Sequence, residues 1–392
     1  MRDQKRLLLV TSRFPYPPIG GDRLRVFHLA RLLARDHEVE LLSLDTGHMD
    51  EETVAAFCRT SGVTRASSFR HPRWRAWIGA AQALIGGLPL QVGYFQSPRL
   101  QAAFDEALKR SDLVVMHLIR TSALWHRQRD IPTLLDMCDA ISENLVQVVR
   151  HGKPWSPWTW VCRIEAPRLR RFELAQSAKF DLVSFVAAAD RALLGLREPH
   201  AFVVTQGVDL PSYPYRSPSA RQGNTLALIG KMDTYPNRTA ALWLVRVLMP
   251  LLPGLRLKLV GDCPPSLRKQ LMAFPGVEVT GRVDSIARAC EDCVMSLAPM
   301  NVATGIQNKV LESFALGLPV VLSASVAQGL LPDSAGCYRL AETPQEWVAA
   351  IEDLLRDQAA SATMADKARD FVERHHGWDA IGANLAARLR AI

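Results

Sequence analysis

The sequence predicts an α/β protein with two doubly wound, parallel-sheet domains. Short runs of Val, Leu and Ile recur along the 392 residues and alternate with stretches whose apolar residues have helical spacing. Such near-continuous apolar strands are typical of parallel sheets covered by helices on both faces. The alternation stops at 211–224, a stretch rich in Pro, Ser and Gly, and then restarts. Because the chain is too long for one ordinary core, two domains are expected.

The predicted elements follow this alternation. In the first domain, 1–210, a helix is predicted over 23–35 and strands at 6–11, 39–44, 112–118, 133–139, 181–187 and 201–208. After the linker, 211–224, the second domain, 225–374, has predicted strands at 225–232, 256–262, 277–281, 293–300 and 319–324. Residues 375–392 form a final helix that we expect to pack back toward the first domain. Ligands of such sheets bind beyond the carboxyl ends of the strands, which predicts a cleft between the domains.

Composition narrows the class of protein. A hydrophobic fraction of 48% and a charged fraction of 22% are typical of a globular chain in water, and the longest early apolar run, 7–10, is too short for a membrane span or a secretory signal. Residues 1–209 hold 28 Lys+Arg and 22 Asp+Glu, so +6 of the net +8 falls there, and anionic partners or an anionic surface are expected. No motif or dense basic stripe indicates nucleic acid.

The cysteines indicate a reducing compartment rather than a disulfide framework. There are seven, scattered along the chain, which suits a cytoplasmic location. Cys290 and Cys293 form a lone CxxC, which is not enough to predict a metal or redox site.

The loop after the first strand has features of an anion site. Gly20 and Gly21 let the backbone approach a ligand just before a helix whose free N–H groups favour an anion, and Arg23 and Arg25 add positive charge. A plain tight turn with solvated arginines is the alternative. The spacing is not the GxGxxG fingerprint, which weighs against a nicotinamide dehydrogenase.

Lys231 directly follows the first strand of the second domain, so its ammonium is expected at the carboxyl end of that strand. A surface lysine in a loop is the alternative. Asn237 or Thr239 is predicted to cap the helix that follows.

Lys309 and Glu312 stand out in a run that is otherwise apolar or small, 304–324. A cation in the first turn of a helix opposes the helix dipole, and a local ion pair would contribute only ~0.2–0.5 kcal/mol. A binding site explains the pair better than such a salt bridge. The amides of 306–309 and the Lys309 ammonium would hold a diphosphate, and an ionised Glu312 would accept the hydroxyls of a ribose.

Five segments in order carry a resemblance to a known family. They are PPIGGDRLRVFHLARLLARDHEVELLSL, VVTQGVDL, IGKMDTYPNRTAALWL, LVGDCPPSLRKQL with GVEVTGRVDSI, and GIQNKVLESFALGLPVVLSA. Together they resemble retaining glycosyltransferases of the group 1 (family 4) type, which have the GT-B fold. The resemblance implies an acceptor-binding first domain and a donor-binding second domain. It also implies sugar transfer, with retention, from a nucleoside-diphosphate sugar of the UDP or GDP type, which is a substrate rather than a cofactor.

One departure from the family pattern affects the donor site. The family often has two glutamates with seven residues between them; the second corresponds to Glu312, and the first falls at Thr304. A branch tied to bacterial exopolysaccharide assembly has GIQNKVLE at this place. The ribose role of Glu312 is therefore kept, and main-chain amides are expected to hold the sugar. The further donor-binding residues that the resemblance implies are Gly305, Ile306, Gln307, Asn308, Arg282 and Val283, the last two near the base.

The resemblance also implies catalytic roles. Lys231, Lys309 and helix N-terminal amides would stabilise charge on the leaving diphosphate oxygen, and no metal is expected because the sequence has no acidic cluster suited to Mg²⁺. His117 would contact the donor sugar, with a buried structural histidine as the alternative. Arg23 and Asp139 fall on the acceptor side, although Asp139 fits a cap for the helix near Ser142 better.

Two tryptophan-rich segments point to a membrane surface. Residues 69–90 contain Trp74 and Trp77 beside three arginines, and 150–171 contain three tryptophans among six basic residues and one acidic residue. Such composition is typical of a surface in a membrane interface, and core tryptophans are the alternative. We therefore expect peripheral attachment to the inner face of the plasma membrane and a lipid-linked glycan acceptor.

Three other functions remain as alternatives. A nucleotide-sugar 2-epimerase of the same fold needs no acceptor and would convert the donor alone. A non-catalytic binding protein would bind the nucleotide but release none from the donor. An NAD oxidoreductase is weakened by the missing glycine fingerprint.

Overall fold

The computed structural model describes residues 4–18, 21–45, 49–126, 130–151, 154–301 and 305–392. The chain divides into two compact units, one comprising Met1–Thr205 with Ile381–Ile392 and the other Gln206–Ala380. Residues 381–392 thus belong to the first unit although they end the chain. Each unit contains one parallel sheet with helices before and after its strands.

The first unit has a seven-stranded sheet in the order β3-β2-β1-β4-β5-β6-β7. Its strands are β1 (Arg6–Thr11), β2 (Glu38–Asp45), β3 (Arg65–Arg70), β4 (Leu113–His117), β5 (Thr133–Cys138), β6 (Leu182–Phe185) and β7 (Ala201–Val203). Its helices are α1 (Gly21–Leu33), α2 (Glu51–Ser61), α3 (Arg73–Ile85), α4 (Leu90–Tyr94), α5 (Pro98–Leu108), α6 (Ile141–His151), α7 (Pro157–Ser177) and α8 (Ala188–Leu193), with a 3₁₀ turn at Ile119–Leu124.

The second unit has a six-stranded sheet in the order β10-β9-β8-β11-β12-β13. Its strands are β8 (Thr225–Ile229), β9 (Arg256–Val260), β10 (Val277–Gly281), β11 (Cys293–Ala298), β12 (Val320–Leu322) and β13 (Arg339–Leu340). Its helices are α9 (Tyr235–Trp243, continued by a π-helical turn at Leu244–Leu248), α10 (Pro265–Leu271), α11 (Ile286–Ala289), α12 (Asn308–Ala315), α13 (Ala324–Ala327), α14 (Pro344–Arg356) and α15 (Gln358–His376); α16 (Trp378–Leu389) ends the chain.

The predicted α/β class with two parallel sheets is confirmed. All strand pairings between named strands are parallel, and every predicted strand has a counterpart. The prediction missed the edge strands β3 and β13, and it extended the strand at 201–208 beyond Val203, where β7 ends. The stretch predicted as a plain linker contains short 3₁₀ turns at Leu210–Ser212 and Pro218–Ala220.

Each unit has its own apolar core. Leu8, Val10 and Met116 lie in the core of the first unit, and Leu228, Leu297 and Phe314 lie in that of the second. Across the described residues, no helix combines the length and apolar character that crossing a bilayer requires.

Candidate active site

Two of the predicted donor residues, Lys231 and Lys309, lie at the carboxyl ends of β8 and β11, which are neighbouring strands of the second sheet. Lys231 follows the end of β8, Met300 follows the end of β11, and the first turn of α12 carries Lys309. The Lys309 Nζ donates a hydrogen bond to Asn237 Oδ1 and lies 3.9 Å from Met300 Sδ. Segments that are about 70 residues apart in sequence therefore form one cluster.

Asn237 joins the two segments of this cluster. Its Nδ2 donates to the main-chain carbonyl of Lys231 at 2.9 Å, while its Oδ1 accepts from Lys309. The prediction that Asn237 or Thr239 caps the helix is wrong, because α9 begins at Tyr235 and both residues lie inside it. Instead, Asn237 holds the strand-end loop against the lysine.

The side chains of Lys309 and Glu312 are partly buried, and among the described residues no ion pair joins them. Burial lowers the pKa of Lys309 to about 8, and the nearby Glu312 offsets this only in part. Burial raises the pKa of Glu312, although a hydrogen bond from Tyr213 and the charge of Lys309 act in the opposite direction. A local salt bridge therefore does not account for the two residues.

Tyr213 is a member of the site that the sequence did not reveal. Its hydroxyl donates to the Glu312 carboxylate, and burial together with this carboxylate raises the pKa of Tyr213 above its ordinary value. The Tyr213 ring and Val283 both pack against a small apolar cluster built on β8, β9 and β11. Tyr213, which contacts the predicted ribose residue Glu312, and Val283, a predicted base residue, thus border one apolar cluster, and the adjacent Arg282 is exposed.

The loop that enters α12 has a backbone suited to close approach by a ligand. Gly305 has φ +62°, a left-handed conformation that glycine adopts without steric cost. Gly329 packs directly against this loop, where a Cβ on it would lie 2.3 Å from the Gly305 carbonyl oxygen. Residues 306–308 then form the helix entry. Because the first amides of a helix have no intrahelical acceptor, an anion can bind there beside Lys309.

Lys231 lies near this cluster but points its charge elsewhere. Its Nζ forms an ion pair with Asp233 at 2.9 Å on an exposed surface, and this carboxylate raises the pKa of Lys231. The main chain of Lys231 joins the cluster through Asn237, whereas its ammonium already has a partner. The predicted catalytic role of this side chain stays a prediction.

Two of the predicted residues, Gly20 and Thr304, lie outside the described residues. Gly21 begins α1, and the partly buried Arg23 lies in its first turn. These positions agree with the predicted junction of loop and helix. The contacts described for Gly21 and Arg23 do not indicate a ligand, so their predicted roles stay predictions.

A second polar cluster lies in the first unit, at the ends of β4 and β5. The Asp136 carboxylate accepts from Arg25 Nη2 at 2.9 Å and Nε at 3.1 Å, from His117 Nδ1 at 2.9 Å and from Ser184 Oγ at 2.8 Å. Arg25 also donates to the carbonyls of Val204 and Thr205. The cluster is almost inaccessible to water: His117 is 2% exposed, Arg25 3% and Asp136 1%.

Arg25 is therefore neither a cation available to an anion nor a solvated arginine, so both the anion-site expectation and its alternative are wrong for this residue. Burial alone would lower its pKa, but the facing Asp136 raises it above the ordinary value. Burial alone would raise the pKa of Asp136, but the Arg25 charge and the His117 hydrogen bond hold it well below its usual range. The two charges balance each other inside the unit.

His117, Asp136 and Cys138 offer ligand atoms within 4.8 Å of one another, a distance compatible with a metal ion. Arg25, however, already covers both Asp136 oxygens with a positive charge. The burial of Cys138 and the Asp136 charge also raise its thiol pKa, which disfavours the thiolate that a metal needs. This cluster does not fit a cation.

Asp139 is half-buried directly after β5. Burial and the charge of Asp190 raise the pKa of Asp139 to about 6. The hydrogen bonds at the start of α6 go to other carboxylates: the Ala140 amide donates to Asp190, and the Ser142 amide donates to Glu173. The helix-cap role that we expected for Asp139 is therefore taken by these two residues.

Two Rossmann-like units, the second with a partly desolvated lysine and glutamate at the carboxyl edge of its sheet, define a two-domain α/β protein whose candidate ligand site lies beyond the strand ends. Residues 223–357 match the family model described as "Glycosyl transferases group 1". Among proteins with curated functions, none matches the chain.

Three solved structures share the whole architecture. HepE of Anabaena, solved with UDP, aligns over 99% of this chain and 100% of its own with a TM-score of 0.70 at 17% identity. Sucrose-phosphate synthase from Thermosynechococcus elongatus aligns over 99% of both chains with a TM-score of 0.71 at 17% identity. WaaG, a glycosyltransferase involved in lipopolysaccharide biosynthesis, aligns over 98% of this chain and 99% of its own with a TM-score of 0.64 at 14% identity. The chain has the GT-B fold that the sequence predicted.

Proposed function

We propose that the protein is a glycosyltransferase that transfers a hexose from a nucleoside-diphosphate sugar to an acceptor with retention of configuration. The family match at 223–357 covers the elements that form the Lys309 cluster. Solved structures of HepE contain UDP, UDP with glucose, or UDP-glucose, which supports a nucleotide-sugar donor here.

The observation that carries this proposal is the state of Lys309. Its ammonium contacts a neutral amide oxygen and a thioether, and no ion pair among the described residues includes it. Burying a charge without an ionic partner is costly, so such a group favours an anionic ligand. The adjacent start of α12 attracts the same anion. A diphosphate bound there would restore the charge balance.

The chemistry follows from this binding mode. The difficult step is departure of the diphosphate from a sugar that develops positive charge, and cations and amides placed near the leaving oxygen stabilise that transition state. Lys309 and the first amides of α12 supply these groups, and Lys231 joins them when it exchanges Asp233 for the phosphate. Glu312 orients the ribose through its carboxylate.

The acceptor that we propose is a lipid-linked glycan of bacterial exopolysaccharide or cell-surface synthesis, reached at the inner face of the plasma membrane. The structural similarity to WaaG, a glycosyltransferase involved in lipopolysaccharide biosynthesis, supports this proposal. Several tryptophans of the first unit are also exposed, among them Trp155 at 76% and Trp77 at 67%, so they are not core residues.

A thermal-shift screen of UDP, GDP, ADP and TDP, alone and as their sugars, tests the donor site. A ligand at 100 times its Kd should add about 2.7 kcal/mol of stability. Lys309→Ala and Glu312→Ala should each lose this gain and remain folded, while Lys269→Ala, an exposed lysine of the same unit, should keep it. Unchanged shifts in both site variants would refute the proposed site.

Product analysis then separates the reactions. A retaining transferase releases nucleoside diphosphate only with an acceptor and gives a product with the anomeric configuration of the donor, which NMR can assign. An epimer formed from the donor alone would identify an epimerase instead. Nucleotide binding without release under any acceptor would contradict catalysis.

A further inference from the structure

Arg120 is a partly buried cation of the first unit that has no anion bonded to it. It follows the carboxyl end of β4, in the 3₁₀ turn Ile119–Leu124. Its Nε is buried without a hydrogen-bond partner, and among the described residues none of its nitrogen atoms forms a hydrogen bond or an ion pair. Because leaving a buried charge uncompensated is costly, such a group favours an anionic ligand.

Arg25 shows how a purely structural arginine is bound at the same edge of the sheet. Its guanidinium donates to both oxygens of Asp136 and to the carbonyls of Val204 and Thr205. A guanidinium has five N–H donors, and for Arg120 no acceptor among the described residues receives one of them. Holding the fold together therefore does not account for Arg120.

The charges near Arg120 do not compensate it. Arg13 follows β1 and repels Arg120, while Arg13 itself is paired with Asp22 at 3.2 Å. Burial and the charge of Arg13 lower the pKa of Arg120 to about 10, and Asp22 offsets this only in part. The three side chains leave a net positive charge beside the loop after β1, where one anionic group would restore the balance.

The turn that carries Arg120 is entered through an unusual backbone conformation. Leu118 has φ +69° and ψ +143°, a combination nearly confined to glycine. The Thr121 hydroxyl holds the turn by donating to the carbonyls of His117 and Leu118. Backbone outliers of this kind concentrate at binding and catalytic sites, and this one lies two residues before the unpaired arginine.

Phe95 orients the guanidinium from one face. The Arg120 Cζ lies 4.5 Å from the centroid of the buried Phe95 ring. The ring face attracts the cation but does not replace the acceptors of its in-plane N–H groups. The planar fork therefore remains available to two oxygen atoms of one anion, as in bidentate binding of a phosphate or a carboxylate.

A row of aromatic rings continues from Phe95 to the surface of α3. The Phe95 and Tyr94 ring centroids are 5.2 Å apart, those of Tyr94 and Trp77 are 5.5 Å apart, and Trp77 is 67% exposed. Close contact of α3 and α4 supports this row, since a Cβ on Gly93 would lie 2.4 Å from the Gly79 carbonyl oxygen. An unpaired cation and an apolar path to the surface thus adjoin each other.

We propose that Arg120 binds a phosphate group of the acceptor and that the polyprenyl chain attached to this phosphate lies along the row formed by Phe95, Tyr94 and Trp77. An anion joined to an apolar chain matches a cation joined to an aromatic row, whereas a free phosphate or an acidic sugar would use the cation alone. Calling this ligand the acceptor rests on the proposed function, but the binding itself does not require the nucleotide site.

Isothermal titration calorimetry of the full chain without nucleotide tests the inference, with geranyl diphosphate, geraniol and inorganic pyrophosphate as probes. The wild type should bind geranyl diphosphate at least about tenfold more tightly than either other probe. Arg120→Gln should lose about tenfold in affinity for geranyl diphosphate and keep its affinity for geraniol, and Arg120→Lys should lie between the two proteins. Tyr94→Ala should weaken geranyl diphosphate by about threefold and leave pyrophosphate unchanged.

Three controls separate this site from the donor site and from a structural role. Lys309→Ala and Arg99→Gln, the latter at an exposed position of α5, should bind geranyl diphosphate like the wild type. Arg120→Gln should keep the UDP-induced thermal shift, and its own melting temperature should be equal or higher because it removes an unpaired charge. A structural arginine would instead lower the melting temperature.

Three results would overturn the inference or part of it. Equal affinity of the wild type and Arg120→Gln for geranyl diphosphate would refute the contact. Pyrophosphate bound as tightly as geranyl diphosphate would refute the polyprenyl part, and loss of geranyl diphosphate binding in Lys309→Ala would assign the ligand to the donor site. A wild-type chain that binds no nucleotide would contradict the proposed function, while the geranyl diphosphate affinities would still decide the role of Arg120.

Discussion

Lys309 shows how a single side chain can be predicted from sequence and yet be explained only by the structure. Its position in an apolar run marked it as a functional residue. Its hydrogen-bond partner, Asn237, lies outside that run. The Asn237 amide oxygen accepts from the Lys309 ammonium although the two residues are 72 positions apart. Because the partner is neutral, the lysine loses hydration without gaining an ion pair, and its pKa falls to about 8.

This lowered pKa predicts that nucleotide binding depends on pH. Below pH 8 the lysine is charged and attracts a diphosphate; above pH 8 each further pH unit reduces its charged fraction about tenfold. The Kd for the preferred nucleoside diphosphate should therefore rise by up to about tenfold between pH 7.5 and pH 9. Isothermal titration calorimetry across this range measures the effect, together with the proton uptake that accompanies binding.

Lys309→Arg is the matched control, since a guanidinium stays charged throughout this range. Its Kd should vary less than twofold over the same pH interval, whatever its absolute value. A wild-type Kd that does not change with pH would contradict the assignment.

The same pKa has an opposite consequence for the stability of the free protein. Because folding lowers the pKa of Lys309, its charged form destabilises the folded protein. This destabilisation is complete below pH 8 and decreases as the pH rises toward 10.5.

Two other contacts between polar residues could not be predicted from the sequence, for the same physical reason. Tyr213 contacts Glu312 and Asp136 contacts Arg25 across about 100 residues of chain. Spacing rules report neighbours on one helix or strand, whereas these pairs form only when the sheet order is set. Arg25 was consequently expected to contribute charge to an anion site rather than to pair with Asp136.

At the scale of elements, the strands that are buried on both faces of the sheet were predicted well. The central strands β1, β4 and β8 are almost entirely buried, so their apolar runs are continuous and their bounds were predicted within a few residues. The edge strands β3 and β13 lack such runs: RASSFR is only partly buried and the two residues of β13 are exposed. Their pairing to a neighbour is a property of the sheet rather than of their own sequence.

The segment at 211–224 also has more structure than its composition indicated, because Arg221 anchors it. The buried Arg221 guanidinium donates to the carbonyls of Cys290, Cys293 and Leu316. Arg221→Lys should cost about 1–3 kcal/mol of unfolding free energy, since a lysine cannot reach all three acceptors. Chemical denaturation of the full chain measures the loss.

Arg216 supplies the comparison for Arg221. It is exposed and bonds the Ala220 carbonyl. Arg216→Lys should change the unfolding free energy by no more than about 0.5 kcal/mol. Equal effects of the two substitutions would show that the buried carbonyl contacts are not what holds this segment.

The loop before α12 should be equally sensitive to a small change in its support. In Gly329→Ala the added methyl group would lie 2.3 Å from the Gly305 carbonyl oxygen, so the loop backbone has to move. We expect the nucleotide-induced thermal shift to fall by more than half, with a modest loss of stability of about 1–3 kcal/mol. Gly86→Ala, where the nearest atom lies 3.4 Å away, should change neither quantity. A Gly329→Ala protein that retains the full shift would show that loop placement is not critical.

At the scale of the whole molecule, most of the net positive charge and the exposed tryptophans fall in the same unit. The exposed tryptophans lie on α3, just before α7 and at its start, and arginines stack on two of them, Arg75 on Trp74 at 5.0 Å and Arg163 on Trp160 at 5.2 Å. The end of α3 adjoins α7, since Arg168 donates to the Leu84 carbonyl. The two helices each present a basic, apolar surface of tryptophans with arginines stacked on them.

These two surfaces predict salt-dependent binding to anionic membranes. Each basic residue near an anionic bilayer contributes about 1 kcal/mol, and exposed aromatic side chains gain further by entering the interface. In flotation assays the protein should bind phosphatidylglycerol vesicles at low salt, bind neutral phosphatidylcholine vesicles weakly, and be released as salt rises. The double variant Trp158→Ala/Trp160→Ala should lose at least tenfold in vesicle affinity and still show the nucleotide-induced thermal shift. Met272→Ala, an exposed apolar residue of the second unit, should bind vesicles like the wild type. Absence of binding to anionic vesicles at low salt would exclude these surfaces as membrane contacts and leave the donor site unaffected.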